Sequence, residues 1–412
     1  MDRQELIPHL FRSEYSKIVA VLCKRFGFDQ IEIAEDIASD TFLAASQTWG
    51  FNGAPANPAA WLYNVAKNKA KNHLQRDSVF ENKVAPEVKN AFSEHYEYEI
   101  DLSPQNISDS QLQMMFAICH PSIPPEAQVG LSLRILCGFG IQEIAEAFLT
   151  NKETINKRLF RAKEKLREGE IRIELPNPSE IEKRLETVLT TIYLLFSEGY
   201  YSVSQNQTVR KELCVEAMRL CNMLIENKTT NKPQVNALLA LMYFHSSRFD
   251  ARINSNGELV LYDEQDTNLW NTDMISKGGY FLKCSANGNI LSKYHLEATI
   301  AYWNTQKTDS IEKWENILQL YNRLLQIEYS PIAALNRTYA LAKANGKQEA
   351  ITEAEKLNLV DNHFYFTLLG ELYTGIDDKK AKKNFQNALL LAKTHTDKQT
   401  IQKKIDKLNN II

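Results

Sequence analysis

Apolar residues recur at spacings of three and four along almost the whole chain, the period of an amphipathic helix. Leu10, Phe11, Tyr15, Ile18, Val19, Leu22 and Phe26 mark a first helix, and a second is predicted from about Ile31 to Thr48. Trp49–Pro58 reads as a loop from its glycine and proline content. Asn57 before Pro58 predicts an N-cap followed by proline at the first helical position. A third helix then carries Trp61, Leu62, Val65, Ala66 and Leu74.

Residues 81–110 read as an acidic linker, with no Lys or Arg between Lys89 and Arg134. A second helical unit covers 111–170, and Leu175-Pro176-Asn177-Pro178-Ser179 punctuates the chain after it. Residues 171–412 are predicted helical almost throughout. The exception is Arg252 to Leu261, where Ser255-Asn256-Gly257 between two strand-like runs suggests a small β-hairpin. Phe364 to Tyr373, followed by Ala381, Phe385 and Ala388-Leu389, resembles a tetratricopeptide (TPR) unit, with a looser copy opening at Ala334 to Ala340. The expected fold is all-α: helical domains at 1–80 and 111–170, then a TPR-like α-solenoid.

Length changes the picture only by requiring several domains, since 412 residues exceed one ordinary core. A net charge of −3 does not announce a nucleic-acid binder, so local patches must decide. The six cysteines form no C-x-x-C pair and lie mostly in apolar helical patterns, which predicts buried, reduced thiols; the histidines show no ligand spacing. No metal or cofactor is expected. The most apolar uncharged run, Thr187 to Ser197, is too short to span a bilayer, and no charged-then-apolar leader opens the chain. A cytoplasmic location away from membranes is therefore expected.

The most informative patch is Gly140 to Arg167. Ile144, Ala145 and Phe148 form one short apolar face, and Ile155, Leu159, Ala162 and Leu166 form a second. Thr150 and Glu153 predict a capping box between them. Together they make a helix-turn-helix pattern, with Leu149 in the turn where glycine is common. From Lys152 to Arg167 there are seven basic residues against Glu153 and Glu164. Base-reading side chains belong near the N-terminal end of such a helix, with cations behind them for phosphates. Lys152, Thr154, Asn156, Lys157, Arg158 and Arg161 are the candidates for duplex DNA.

The first domain carries two opposite faces. Glu32, Glu35, Asp36 and Asp40 make its second helix acidic, with no Lys or Arg from Phe26 to Ala66, which suits a protein partner. The third helix has no acid between Ala59 and Arg76. There Trp61, Asn64, Lys67, Asn68, Lys71, Asn72 and Arg76 mix a ring, amides and cations, as a single strand with exposed bases requires.

These segments together resemble an extracytoplasmic-function (ECF) sigma factor of the sigma-70 family. Ala34-Glu35-Asp36-Ile37-Ala38-Ser39-Asp40-Thr41-Phe42 is similar to the family's polymerase-binding helix. Ala60 to Asn68 with His73 to Arg76 is similar to its −10-element helix, and Ile141 to Phe148 with Thr154 to Lys163 to its −35-reading domain. Two positions depart: Ser39 stands where Gln is usual and Asn72 where Asp is usual. The remainder, from Val188-Leu189 and Phe196 to Tyr200 onward, is similar to the subgroup with a C-terminal TPR-like extension.

The resemblance implies a non-enzymatic protein that brings RNA polymerase core to promoters. Glu35, Asp36, Ser39 and Asp40 would meet the clamp helices of the largest subunit. The Trp49–Pro58 loop would pocket a flipped base, and the linker would thread the RNA channel. It also implies control by the extension, through a protein or small-molecule regulator or in cis. Glu198, Tyr200, Arg248, Trp270 and His295 are candidates for a binding surface there. Nucleotide-binding and hydrolase motifs are missing from the sequence. A one-component helix-turn-helix regulator, working without polymerase core, is the alternative; it needs neither the acidic helix nor the −10-like segment. A peptide-binding scaffold is a third.

Overall fold

The computed structural model describes residues 3–84, 100–148, 150–201, 207–252, 260, 262–393 and 395–409. They are helical, without a strand, and divide into two compact units, Met1–Thr230 and Asn231–Ile412.

In the first unit α1 (Arg3–Phe26), α2 (Ile31–Asn52) and α3 (Pro58–Val84) pack together. Tyr15, Ile18, Val19 and Leu22 of α1 are buried, with Phe42 of α2 and Leu62 of α3. The helix expected to stop at Thr48 runs on to Asn52, because Trp49 is buried against Trp61 at 5.2 Å between ring centroids and Gly53 ends the helix at φ 78°. The expected Trp49–Pro58 loop is thereby reduced to the few residues after Asn52. Asn57 Oδ1 accepts from Ala60 N at 3.1 Å, as the cap requires.

Helix α4 (Pro104–Ile118), capped by Ser103, begins inside the expected 81–110 linker. Ile107, Leu112, Met115 and Phe116 are buried, so apolar periodicity outweighs the acidic composition there. α5 (Pro125–Leu131) continues as a π-helical turn over Ser132–Leu136. α6 (Ile141–Ala147) and α7 (Lys152–Glu168) follow. Leu149, in their turn, lies outside the described residues. The N-cap of α7 is Asn151, whose side chain accepts from Thr154 N at 2.8 Å, and not Thr150. Gly130 lets α5 approach α7 closely; a Cβ there would lie 3.1 Å from Leu159 Cδ2.

α8 (Pro178–Tyr201) and α9 (Gln207–Glu226) were expected to open the extension, yet they belong to the first unit. Thr191 Oγ1 donates to Gln128 Oε1 at 2.8 Å, Arg184 donates to the Phe116 carbonyl, and Arg219 Nη2 donates to the Leu136 carbonyl at 2.6 Å.

The second unit runs α10 (Pro233–Ser246), α11 (Phe249–Arg252), α12 (Thr272–Ser285), α13 (Lys293–Trp303), α14 (Ile311–Ile327), α15 (Pro331–Asn345), α16 (Lys347–Leu357), α17 (His363–Tyr373), α18 (Asp378–Leu391) and α19 (His395–Asn409). From α12 onward each helix packs on its neighbour in sequence, and α13 to α19 share one core that includes Trp314, Leu341, Leu369 and Phe385. Most of the expected hairpin, 253–259 and 261, lies outside the described residues; Val260 N donates to Arg252 O across it at 2.7 Å. Five of the six cysteines are buried and all six are free thiols. Among the described residues, no helix is long and apolar enough to cross a membrane.

Gly370 lets α17 and α18 approach closely. A Cβ on it would fall 2.6 Å from two carbons of the Phe385 ring. Gly370→Ala should gain helix propensity of about 1 kcal/mol, outweighed by overpacking, for a net loss of about 1–2 kcal/mol. Denaturant unfolding reads this; a stabilised variant contradicts the close packing.

Candidate nucleic-acid interface

Helix α7 divides its charged residues between two tasks. Ile155, Leu159, Ala162 and Leu166 seat it on the core. Lys152, Thr154, Asn156, Lys157 and Arg161 are exposed, and Arg158 is half-buried with its guanidinium 5.6 Å from the Phe148 ring. Lys157 has only an exposed pair with Glu153, which contributes little in water. The N-terminal half of α7 is therefore a free cationic and amide surface.

The C-terminal half is occupied. Lys163 is buried and its Nζ pairs with Glu35 of α2, with Glu32 at 3.7 Å. Arg167 pairs with Glu32 and donates from Nε to the Phe28 carbonyl at 3.2 Å. Arg134, from the π-turn, donates from Nε to Glu35 at 3.0 Å and from Nη2 to the Tyr15 hydroxyl at 3.2 Å. Burial pushes the Tyr15 phenol up to about 12, so it stays a neutral partner. Arg12 of α1 joins the same unit elsewhere, pairing with Glu143 of α6 at 2.5 Å and with Glu212 of α9 at 3.3 Å.

The acidic face of α2 is thus split. Glu32 and Glu35 are engaged by α7 and the π-turn, while Asp36, Ser39 and Asp40 are exposed. Asp40 is not without a local cation, as its place in the sequence suggested: Lys69 of α3 reaches it at 3.3 Å. On α3, Asn64, Asn68, Asn72 and Arg76 are exposed and Trp61, Lys67 and Lys71 half-buried, one turn after another along the helix. Of the candidates in the extension, Glu198 and Tyr200 lie on α8 and Arg248, Trp270 and His295 in the second unit, so the five do not form one surface within either unit. Tyr200 stacks on Phe196, and His295 caps α13 through Ser292, which makes both packing residues.

Residues 10–79 match the sigma-70 region 2 model, and 118–166 match the sigma-70 region 4 model. The RNA polymerase sigma-H factor of Pseudomonas aeruginosa is 30% identical over 159 residues, 37% of this chain and 79% of that protein. The chain belongs to the ECF sigma factors of the sigma-70 family. The ECF RNA polymerase sigma-E factor of Haemophilus influenzae is 29% identical over 161 residues, covering 38% of this sigma factor and 83% of the relative. The extended architecture is shared too: "Uncharacterized protein R00370" of Rhizobium meliloti is 30% identical over 388 residues, 92% of this chain and 91% of its own. Residues 184–286 match a family of unknown function, DUF6596. No solved structure matches significantly.

This sigma factor directs transcription initiation with RNA polymerase core at promoter DNA. Region 2 contains α2 and the exposed face of α3; region 4 contains α6 and nearly all of α7. The sequence marked the N-terminal half of α7, which is exposed, as the candidate for duplex DNA, but counted Lys163 and Arg167 among the same run of basic residues. It offered one clue to their other use, the isolated acidic run on α2.

Replacing Lys157 and Arg158 together by Ala should weaken binding to the −35 duplex by about 1–3 kcal/mol for each base-reading side chain removed. Footprinting and run-off transcription with core polymerase check this, and an unchanged footprint would remove both residues from the interface.

Proposed function

We propose that this sigma factor is regulated in cis, and that in the free chain region 4 covers part of the polymerase-docking face of region 2. The observation that carries the reading is the pairing of Glu35 with Lys163 and Arg134, supported by Glu32 with Lys163 and Arg167. Glu35 lies in the segment that resembles the family's core-binding helix, and it is only 9% exposed. A carboxylate held this way cannot meet another protein until the cations leave.

In the open state Glu35, Asp36, Ser39 and Asp40 would dock on the clamp helices of the polymerase largest subunit. Lys152, Thr154, Asn156, Lys157, Arg158 and Arg161 would hold the −35 element. Trp61, Asn64, Lys67, Asn68, Lys71, Asn72 and Arg76 would meet the unpaired −10 strand, with the short turn after α2 beside them. Polymerase core and the covering cations compete for the same acidic face.

The extension would set the balance. Arg12 ties α1 to both α6 and α9, α8 holds α4 and α5, and α9 holds the π-turn at Leu136, so the first part of the extension braces the closed arrangement. The second unit, read as a TPR-like stack, would receive the signal. This favours masking over a required positive role.

Removing one partner of a buried ion pair costs about 3–5 kcal/mol, much of it from the charge left unpaired. Lys163→Ala with Arg167→Ala should therefore loosen region 4 from region 2 and raise affinity for polymerase core severalfold, read by fluorescence anisotropy. A chain ending at Thr230 should keep α8 and α9 folded and transcribe more than the full chain. A variant that binds core no better, together with a shortened chain that transcribes no better, defeats the masking reading.

A further inference from the structure

The stretch matching a family of unknown function contains a buried cation that no acceptor among the described residues satisfies. Arg248, just after α10, is 8% exposed. Its guanidinium lies 5.2 Å from the centre of the Tyr262 ring and 6.0 Å from that of Trp270. Aromatic contacts can occupy the faces of a guanidinium. They leave its edge, which carries five N–H donors. Nε is buried without a hydrogen-bond partner, and no carboxylate of the described residues pairs with the group. Trp270, 6% exposed, presents a second orphan donor, its indole Nε1. Gln265, in the turn that carries Tyr262, has a buried Oε1 without a donor, while its Nε2 donates to the Val260 carbonyl at 3.3 Å.

The neighbouring charges do not resolve this. Lys313, 2% exposed, sits 5.4 Å from the Tyr262 ring and adds a second cation, already held by the Tyr262 hydroxyl and the Gln306 carbonyl at 2.9 Å each. Asp263 accepts from the Tyr339 hydroxyl at 2.7 Å and faces Lys343 at 3.4 Å; Asp309 accepts from the Trp314 indole and faces Lys343 at 3.8 Å. Glu297 acts, with Arg248, on the buried Tyr321 phenol, but it forms no ion pair with Arg248. Donors buried without acceptors destabilise a fold, so their retention points to an acceptor that arrives from outside.

We propose that Arg248 and the Trp270 indole form a binding site for a small carboxylate, with Gln265 Oε1 accepting from an N–H or O–H of the same ligand. The guanidinium fork matches the two oxygens of a carboxylate. One unpaired cation beside Asp263 and Glu297 suits a single negative charge better than a phosphate dianion. Tyr262 and Trp270 supply the walls. Tyr262 and Trp270, which precede α12, meet Arg248 at the end of α10 through their rings. The assignment does not depend on the closed arrangement of regions 2 and 4.

The test uses the full chain labelled with ¹⁵N-tryptophan, the Trp270 indole signal being assigned by Trp270→Phe. Glycine, lactate and benzoate probe free carboxylates, N-acetylglycylglycine probes a peptide terminus, and glycinamide and inorganic phosphate are the controls. A saturable shift of the Trp270 signal with a free carboxylate, or with the peptide terminus, supports the site and says which source it takes. Arg248→Met should weaken that binding by about tenfold or more, with an unliganded Tm equal to or above that of the native chain. Silence to every carboxylate, an equal response to glycinamide, a response to phosphate alone, or a lowered Tm in Arg248→Met would overturn the proposal.

Discussion

The Glu35 carboxylate is the hinge of the first unit. It lies on a helix whose sequence suits a protein partner, yet it is buried between Lys163 and Arg134. Two charges removed from water together lose hydration and recover it only through close pairing. That makes the contact conditional. It holds while region 4 lies against region 2, and a competing partner for either surface can replace it. A hydrophobic seam of equal area would not exchange so readily. The proposed regulation follows from this property of buried ion pairs more than from any single distance.

The surrounding residues make the contact possible. The close approach of α5 at Gly130 and the apolar row of Ile155, Leu159, Ala162 and Leu166 fix the roll of α7. Its first turns are left facing outward with their amides and cations, and its last turns carry Lys163 and Arg167 to Glu32 and Glu35. One helix therefore presents an exposed cationic surface at one end, the candidate for DNA, and buries its cations against α2 at the other. α8 and α9 support α4, α5 and α6 from behind, which is why the compact unit extends to Thr230 and does not stop after the helix-turn-helix.

Much of this was legible in the sequence. The apolar rows of α1, α3 and α7, the cap at Asn57 and the helix-turn-helix follow from spacing alone. Helix boundaries moved where tertiary contact overrode composition: Trp49 carries α2 through Gly50, and buried Ile107 and Leu112 draw α4 into an acidic stretch. The split of the α2 face could not be read, because Glu35 and Lys163 lie 128 residues apart and nothing local pairs them. Nor could the convergence of Arg248 with Trp270. Each was visible as a polar or aromatic residue in apolar surroundings, but their shared lack of partners exists only in three dimensions.

The most direct test of the closed arrangement is a distance. Asp29, exposed beside α2, and Glu168, exposed at the end of α7, flank the contact that Arg167 makes with the Phe28 carbonyl. Spin labels placed at these two positions through non-natural amino acids leave the buried cysteines untouched. Pulsed electron–electron double resonance should give one short distance in the free chain and a longer one after addition of RNA polymerase core. An unchanged distance in the core-bound protein, with binding confirmed in the same sample, would contradict the account.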